Sequence, residues 1–142
     1  MKHVLSLFDL TPDEILAVLE KSSELKAALE TGERPTLLKG MNLAMLFQKQ
    51  SLRTRVSFEA GMVQLGGSAM YLGADVGWGK RESVKDFSEV LSQYVDFIAV
   101  RAKKHQDVVD LAQFATCPVI NALTDYSHPC QALADVSTIQ EV

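Results

Sequence analysis

At 142 residues the chain is long enough to bury a core without disulfides or structural metal, and 47% apolar with 23% charged residues excludes a disordered or collagenous polymer. A formal charge of -4 and a pI near 5.3 exclude an overall attraction to nucleic acid or anionic membrane, but leave room for local arginines to hold a small anion. Cys117 and Cys130 lie apart without metal-ligand spacing, Asp9 interrupts the apolar start before signal-peptide length, and no stretch could span a bilayer, so a reduced, cytoplasmic, soluble protein is expected.

Thr11, Pro12 and Glu14 form a helix start, with Thr11 as cap, Pro12 at the first helical position and Glu14 completing a capping box. Ile15, Leu16, Leu19, Leu25 and Leu29 keep helical spacing up to Gly32, which predicts a scaffold helix. The apolar run Met41 to Phe47 predicts a buried strand. From Ser51 to Leu65, residues Val56, Phe58, Met62 and Leu65 suit a helix ended by Gly66 and Gly67, and Ser68 to Leu72 reads as a second strand. Gly73 to Arg81, with three glycines, Trp78 and two cations, has the composition of a mobile loop. Ser83 caps a helix to about Tyr94, and Phe97 to Val100 form a strand that delivers Arg101 to its end. A helix over Val108 to Phe114, a strand over Pro118 to Ala122, a polar loop and a helix containing Ala132 to Ile139 complete the chain. The alternation predicts an α/β fold: a parallel sheet of about four strands flanked by helices in three layers, one domain over 1–142, with ligands at the carboxyl ends of the strands.

The segment Ser51, Leu52, Arg53, Thr54, Arg55 follows a predicted strand and opens a predicted helix, where the first amides lack intrahelical partners. Free amides, the helix dipole, hydroxyls and guanidinium groups together match a phosphate. Arg53 and Arg55, two apart, point to different faces of a regular helix, and on composition alone an exposed charged helix start paired with surface carboxylates is the favoured account of them. Arg101 ends the third strand, and His128, Pro129, Cys130 and Gln131 follow the fourth, so the fold would gather them along one sheet edge. Singly, Arg101 reads as a surface cation, His128 as a helix cap and Gln131 as a solvated amide.

Ser51 to Arg55 and His128 to Gln131 resemble, in order and separation, the two signature motifs of the aspartate and ornithine carbamoyltransferases. The resemblance extends through Val56 to Glu59, Tyr71 to Gly73, Arg81 to Ser83, Arg101 and Ala132 to Asp135. Leu123, Thr124, Asp125 and Cys130 are more similar to the ornithine branch, since the aspartate branch usually has threonine at the Cys130 position. Two departures stand out. Leu52 replaces the usual threonine of Ser-Thr-Arg-Thr-Arg, and Gly77 stands where ornithine enzymes often carry a glutamine reaching a neighbouring subunit, a role left open to Trp78, Lys80 or Arg81.

The resemblance implies a carbamoyl-phosphate-binding domain in which Ser51, the Leu52 backbone, Arg53, Thr54 and Arg55 hold the phosphate. It implies that Arg101, His128 and Thr54 polarise the carbonyl oxygen, and that Gln131 orients the carbamoyl NH2. Transfer in this family is direct, so Cys130 is expected to pack rather than attack. The resemblance further implies transfer to L-ornithine to give citrulline in arginine metabolism, a second, amino-acid-binding domain outside this chain, a homotrimer, and neither cofactor nor metal. The fragment alone would then be inactive. Alternatives are a noncatalytic anion-binding or trimerisation module, or a sibling enzyme using acetylornithine, putrescine or aspartate.

Overall fold

The computed structural model describes residues 1–142. Helix α1 (Pro12–Glu30) starts on the expected capping box, with Thr11 accepting from the Glu14 amide. Then follow β1 (Asn42–Phe47), α2 (Leu52–Gln64), β2 (Ser68–Leu72), α3 (Val84–Ser92), β3 (Phe97–Arg101), α4 (His105–Phe114), β4 (Val119–Leu123) and α5 (Pro129–Gln140). The strands form one parallel sheet in the order β2-β1-β3-β4. The α/β layering is thus the expected one. One boundary moved where side-chain chemistry overrode apolar periodicity: α4 begins not at Val108 but at His105, whose amide donates to the Asp125 carboxylate; α5 contains the expected Ala132 to Ile139 and starts at Pro129 on a His128 cap.

Alternation along the strands divides the core. Leu43, Met45, Phe47, Ala99 and Ala122 face α2, which adds Met62, whereas Ala44, Leu46, Ile98, Val100 and Val119 face the opposite side. There Phe87 of α3 and Val108, Leu111 and Ala112 of α4 close over them. Val56, expected on the core stripe of α2, is half exposed because Phe58 and Met62 take that face.

Two segments differ from expectation. Gly73 to Arg81 is anchored rather than free: a 3-10 turn covers Ala74–Val76, Gly77 turns the chain with φ 74°, and Val76 and Trp78 pack on the α3/α4 core, Trp78 stacking with Phe87. The N-terminal residues also join the sheet. Val4 bridges Ile120 in parallel, exchanging backbone hydrogen bonds with Val119 and Asn121, so the edge of β4 is covered.

The order of the strands determines where a ligand can sit. From β1 the chain moves outward to β2 on one side, then returns to β3 on the other, so the connections leaving β1 and β3 diverge to opposite faces. A crevice opens at the carboxyl ends of β1 and β3.

Candidate functional site

At the same carboxyl edge of the sheet, a cleft of about 480 Å³ lies between the N-terminal ends of α2 and α5, with Arg101 at the end of β3 and Leu123 at the end of β4 in its wall. Of the residues singled out from the sequence, Ser51, Arg53, Thr54, Arg101, His128 and Gln131 line it. No carboxylate does. Ser51 caps α2 by accepting from the Thr54 amide at 3.3 Å, and the amides of Leu52 and Arg53, ahead of the first intrahelical bond, belong to the positive end of the helix. The Leu52 side chain is 77% exposed and points elsewhere, so leucine at this position removes a hydroxyl without obstructing the cleft.

Arg55 departs from the expected arrangement. Its guanidinium bonds Glu59 at 3.1 Å and lies 4.0 Å from the Tyr71 ring centroid, outside the cleft lining. Residues two apart on a helix cannot share a direction, and Arg53 took the inward one.

Arg101 sits on the α2 side of the sheet and donates from Nη1 to Thr54 Oγ1 at 3.3 Å. Its Nε is buried and has no hydrogen-bond partner, the one buried side-chain nitrogen or oxygen left in that state. An unsatisfied buried donor costs about 1–3 kcal/mol, more when charged, so this group is a reason to look for an acceptor in the cleft.

His128 is both helix cap and cleft wall. Its Nδ1 accepts from the Gln131 amide at 3.4 Å, which leaves the proton of the neutral ring on Nε2. Burial first, and then the charge of Arg101, lower its pKa below the ordinary histidine value of 6.5, with Asp135 opposing. A neutral imidazole that donates from Nε2 is the result near pH 7. Gln131 donates its amide NH2 to Asp135 at 2.8 Å, and since a carboxylate only accepts, its Oε1 remains an available acceptor. Burial raises the Cys130 thiol, whose sulfur donates weakly to the Asn121 carbonyl at 3.6 Å; this is a packed thiol and not an activated one.

Sequence reading missed Ser57, Phe58, Leu123 and Ala134 in the lining. Ser57 and Phe58 follow Thr54 by three and four residues, so helical spacing could have added them. Leu123 had no such signal. It carries the one positive φ outside glycine, 157°, opposite Arg101 where the β3/β4 register shifts. Strain of this kind costs about 1–3 kcal/mol and gathers at functional sites.

A sequence profile described as aspartate/ornithine carbamoyltransferase, carbamoyl-P binding domain, matches residues 2–141. The chain belongs to the aspartate/ornithine carbamoyltransferase family. Among relatives of this carbamoyltransferase domain, it is 53% identical to ornithine carbamoyltransferase of Anoxybacillus flavithermus, over 99% of this chain and 45% of that protein. It is 52% identical to that of Pyrococcus abyssi, over 99% of this chain and 44% of that protein. The solved ornithine carbamoyltransferase of Pyrococcus furiosus superposes with a TM-score of 0.96 at 51% identity, over 99% of this chain and 45% of that one. The catalytic subunit of M. jannaschii aspartate transcarbamoylase follows at 0.89 and 34%, over 99% and 47%. The chain therefore spans under half the length of these relatives. No helix in this carbamoyltransferase domain is long and apolar enough to cross a membrane.

Proposed function

We propose that the cleft binds carbamoyl phosphate and that the complete enzyme transfers its carbamoyl group to L-ornithine. The observation that carries this reading is a carboxylate-free cleft between two helix N-termini that is lined together by Arg53, Arg101, His128 and Gln131. The phosphate would sit on the α2 N-terminus, held by Ser51, the Leu52 amide, Arg53 and Thr54. Arg55, engaged by Glu59 and Tyr71, would steady the helix start from outside.

In the reaction the amine nitrogen attacks the carbamoyl carbon, the bond from that carbon to the phosphate oxygen breaks, and phosphate leaves with the electron pair. The attacking nitrogen gives up a proton, which the departing phosphate takes. Negative charge grows on the carbonyl oxygen and then on the leaving phosphate, so fixed donors toward both lower the barrier. Arg101, His128 Nε2–H and Thr54 would serve the first, and the α2 N-terminus the second; their shared position around the cleft supports this reading. Gln131 Oε1 would accept from the carbamoyl NH2 and orient the plane of the group.

Ornithine as acceptor is supported by the names of the relatives at 53% and 52% identity. Their greater length is consistent with residues 1–142 acting as one domain beside a second, amino-acid-binding domain; a homotrimer of the complete enzyme belongs to the same proposal and rests on the family resemblance alone. Two free thiols and the absence of a membrane-crossing helix accord with a cytoplasmic site of action. Calorimetry with carbamoyl phosphate and a phosphonate mimic tests the reading. Binding that is lost in Arg53→Ala is expected, and a folded chain that fails to bind at millimolar ligand would overturn it.

A further inference from the structure

Asn121 interrupts an otherwise apolar strand, is fully buried, and spends its side chain on the turn that follows rather than on the neighbouring strand. We propose that Asn121 is a positioning residue: its carboxamide sets the turn between β4 and α5 so that His128 and the strained Leu123 face Arg101. The proposal rests on the carbamoyl-phosphate reading above.

Each arm of the carboxamide has a separate task. Oδ1 accepts from the Leu123 amide at 2.9 Å, across two residues, and so holds the positive φ at the point where Leu123 stands opposite Arg101. The Leu123 carbonyl in turn accepts from Ala102, the residue after Arg101, at 3.0 Å. Nδ2 donates to the Ser127 carbonyl at 3.1 Å and the Thr124 hydroxyl at 3.3 Å, closing the turn whose next residue is His128. The Leu5 carbonyl lies 2.8 Å from the same nitrogen, so its two hydrogens are shared among three acceptors and tie the turn to the N-terminal segment. The Asn121 backbone carbonyl receives the Cys130 thiol from the first turn of α5.

No smaller set of groups does this. Two amide hydrogens and one carbonyl oxygen on a rigid plane are required, and among the side chains of this size only asparagine has them; aspartate keeps the acceptor and loses both donors. The turn has no glycine to fix its shape, and Pro129 comes only after His128. A merely structural asparagine would stabilise the fold and leave the cleft unchanged in molecules that remain folded.

The test compares the chain with Asn121→Ala, Thr124→Val, which removes the hydroxyl that Asn121, Tyr126 and Ser127 share and that also meets His105 Nδ1 at 2.9 Å, and Leu111→Ala, a destabilised control in the opposite core. Two readouts are taken on folded protein: the titration of the His128 imidazole by NMR, and affinities for carbamoyl phosphate and inorganic phosphate. The expected result is that Asn121→Ala and Thr124→Val move the His128 titration toward the ordinary histidine range. Both should weaken carbamoyl phosphate by at least about tenfold and inorganic phosphate less, since the Ser51–Thr54 cradle is untouched. Leu111→Ala should change neither. If both turn variants titrate and bind like Leu111→Ala, the positioning role is wrong. Should Asn121→Ala not fold, Thr124→Val decides by the same readouts. If the unaltered chain does not bind carbamoyl phosphate, the functional reading fails, while the His128 titration still judges Asn121.

Discussion

On the α3/α4 side of the sheet, Leu46, Ile98, Val100 and Val119 meet Val108 and Leu111 in a closed apolar core, and even the glycine-rich loop lends it Trp78. On the α2/α5 side the same strands end in a cationic cleft with an unpartnered buried donor and a strained Leu123, and beside them lies an apolar groove of about 330 Å³ lined by Leu43, Phe58, Met62, Phe97 and Ile120. One face therefore supplies stability that the other spends. An Arg101 or a Leu123 in such a state persists only because packed surroundings over-determine it.

This contrast can be broken at either face. Leu111→Ala should cost the largest amount, about 2–5 kcal/mol of stability by urea unfolding, with carbamoyl-phosphate affinity of the folded molecules unchanged. A loss of binding in step with stability would show that the faces are not separable. Arg101→Ala should do the reverse in the complete enzyme: a rate lower by roughly 100- to 1,000-fold, equivalent to about 2.7–4 kcal/mol, with little loss of stability because the group it removes is partly unsatisfied. Near-normal turnover would remove Arg101 from the site.

Ser51→Ala sharpens the comparison because it touches both accounts, losing a helix cap worth about 1 kcal/mol together with a phosphate contact. Thermal unfolding and calorimetry should both register it. Acidification should act more weakly. The pKa values of His128 and His3 are lowered by burial in the folded state, so the unfolded chain binds protons first, and stability should fall as pH drops below the ordinary value of 6.5. His128→Gln should flatten part of that slope in Tm against pH, and an unchanged slope would argue against a depressed His128. The smallest effect belongs to Cys130→Thr, where a hydroxyl can donate to the Asn121 carbonyl in place of the thiol. Binding should change by less than about 1 kcal/mol; abolished binding in a folded variant would mean the thiol does more than pack.

Much of this was legible in one dimension, because it is written in local chemistry. Capping of α1 by Thr11, of α2 by Ser51 and of α3 by Ser83, the apolar runs of β1 and β3, and their alternation with helices depend on neighbours within a few residues. The same local rule said that Arg53 and Arg55 diverge, and helix geometry decides as much. Which of them turns inward was not legible: that choice depends on Tyr71, which comes from the next strand, as well as on Glu59.

The amino-acid sequence by itself determined the elements, their order and the residue types available at the carboxyl edge. Only the tertiary structure decided that Gly73 to Arg81 is pinned by Trp78, that the N-terminal segment joins the sheet, that Leu123 is strained, and that Asn121 ties Leu5 and Leu123 to the turn ahead of His128. The physical reason is range. Caps and periodicities are settled by contacts a turn apart, whereas a buried donor or a strained torsion exists only where segments distant in the chain meet and leave one group without an alternative.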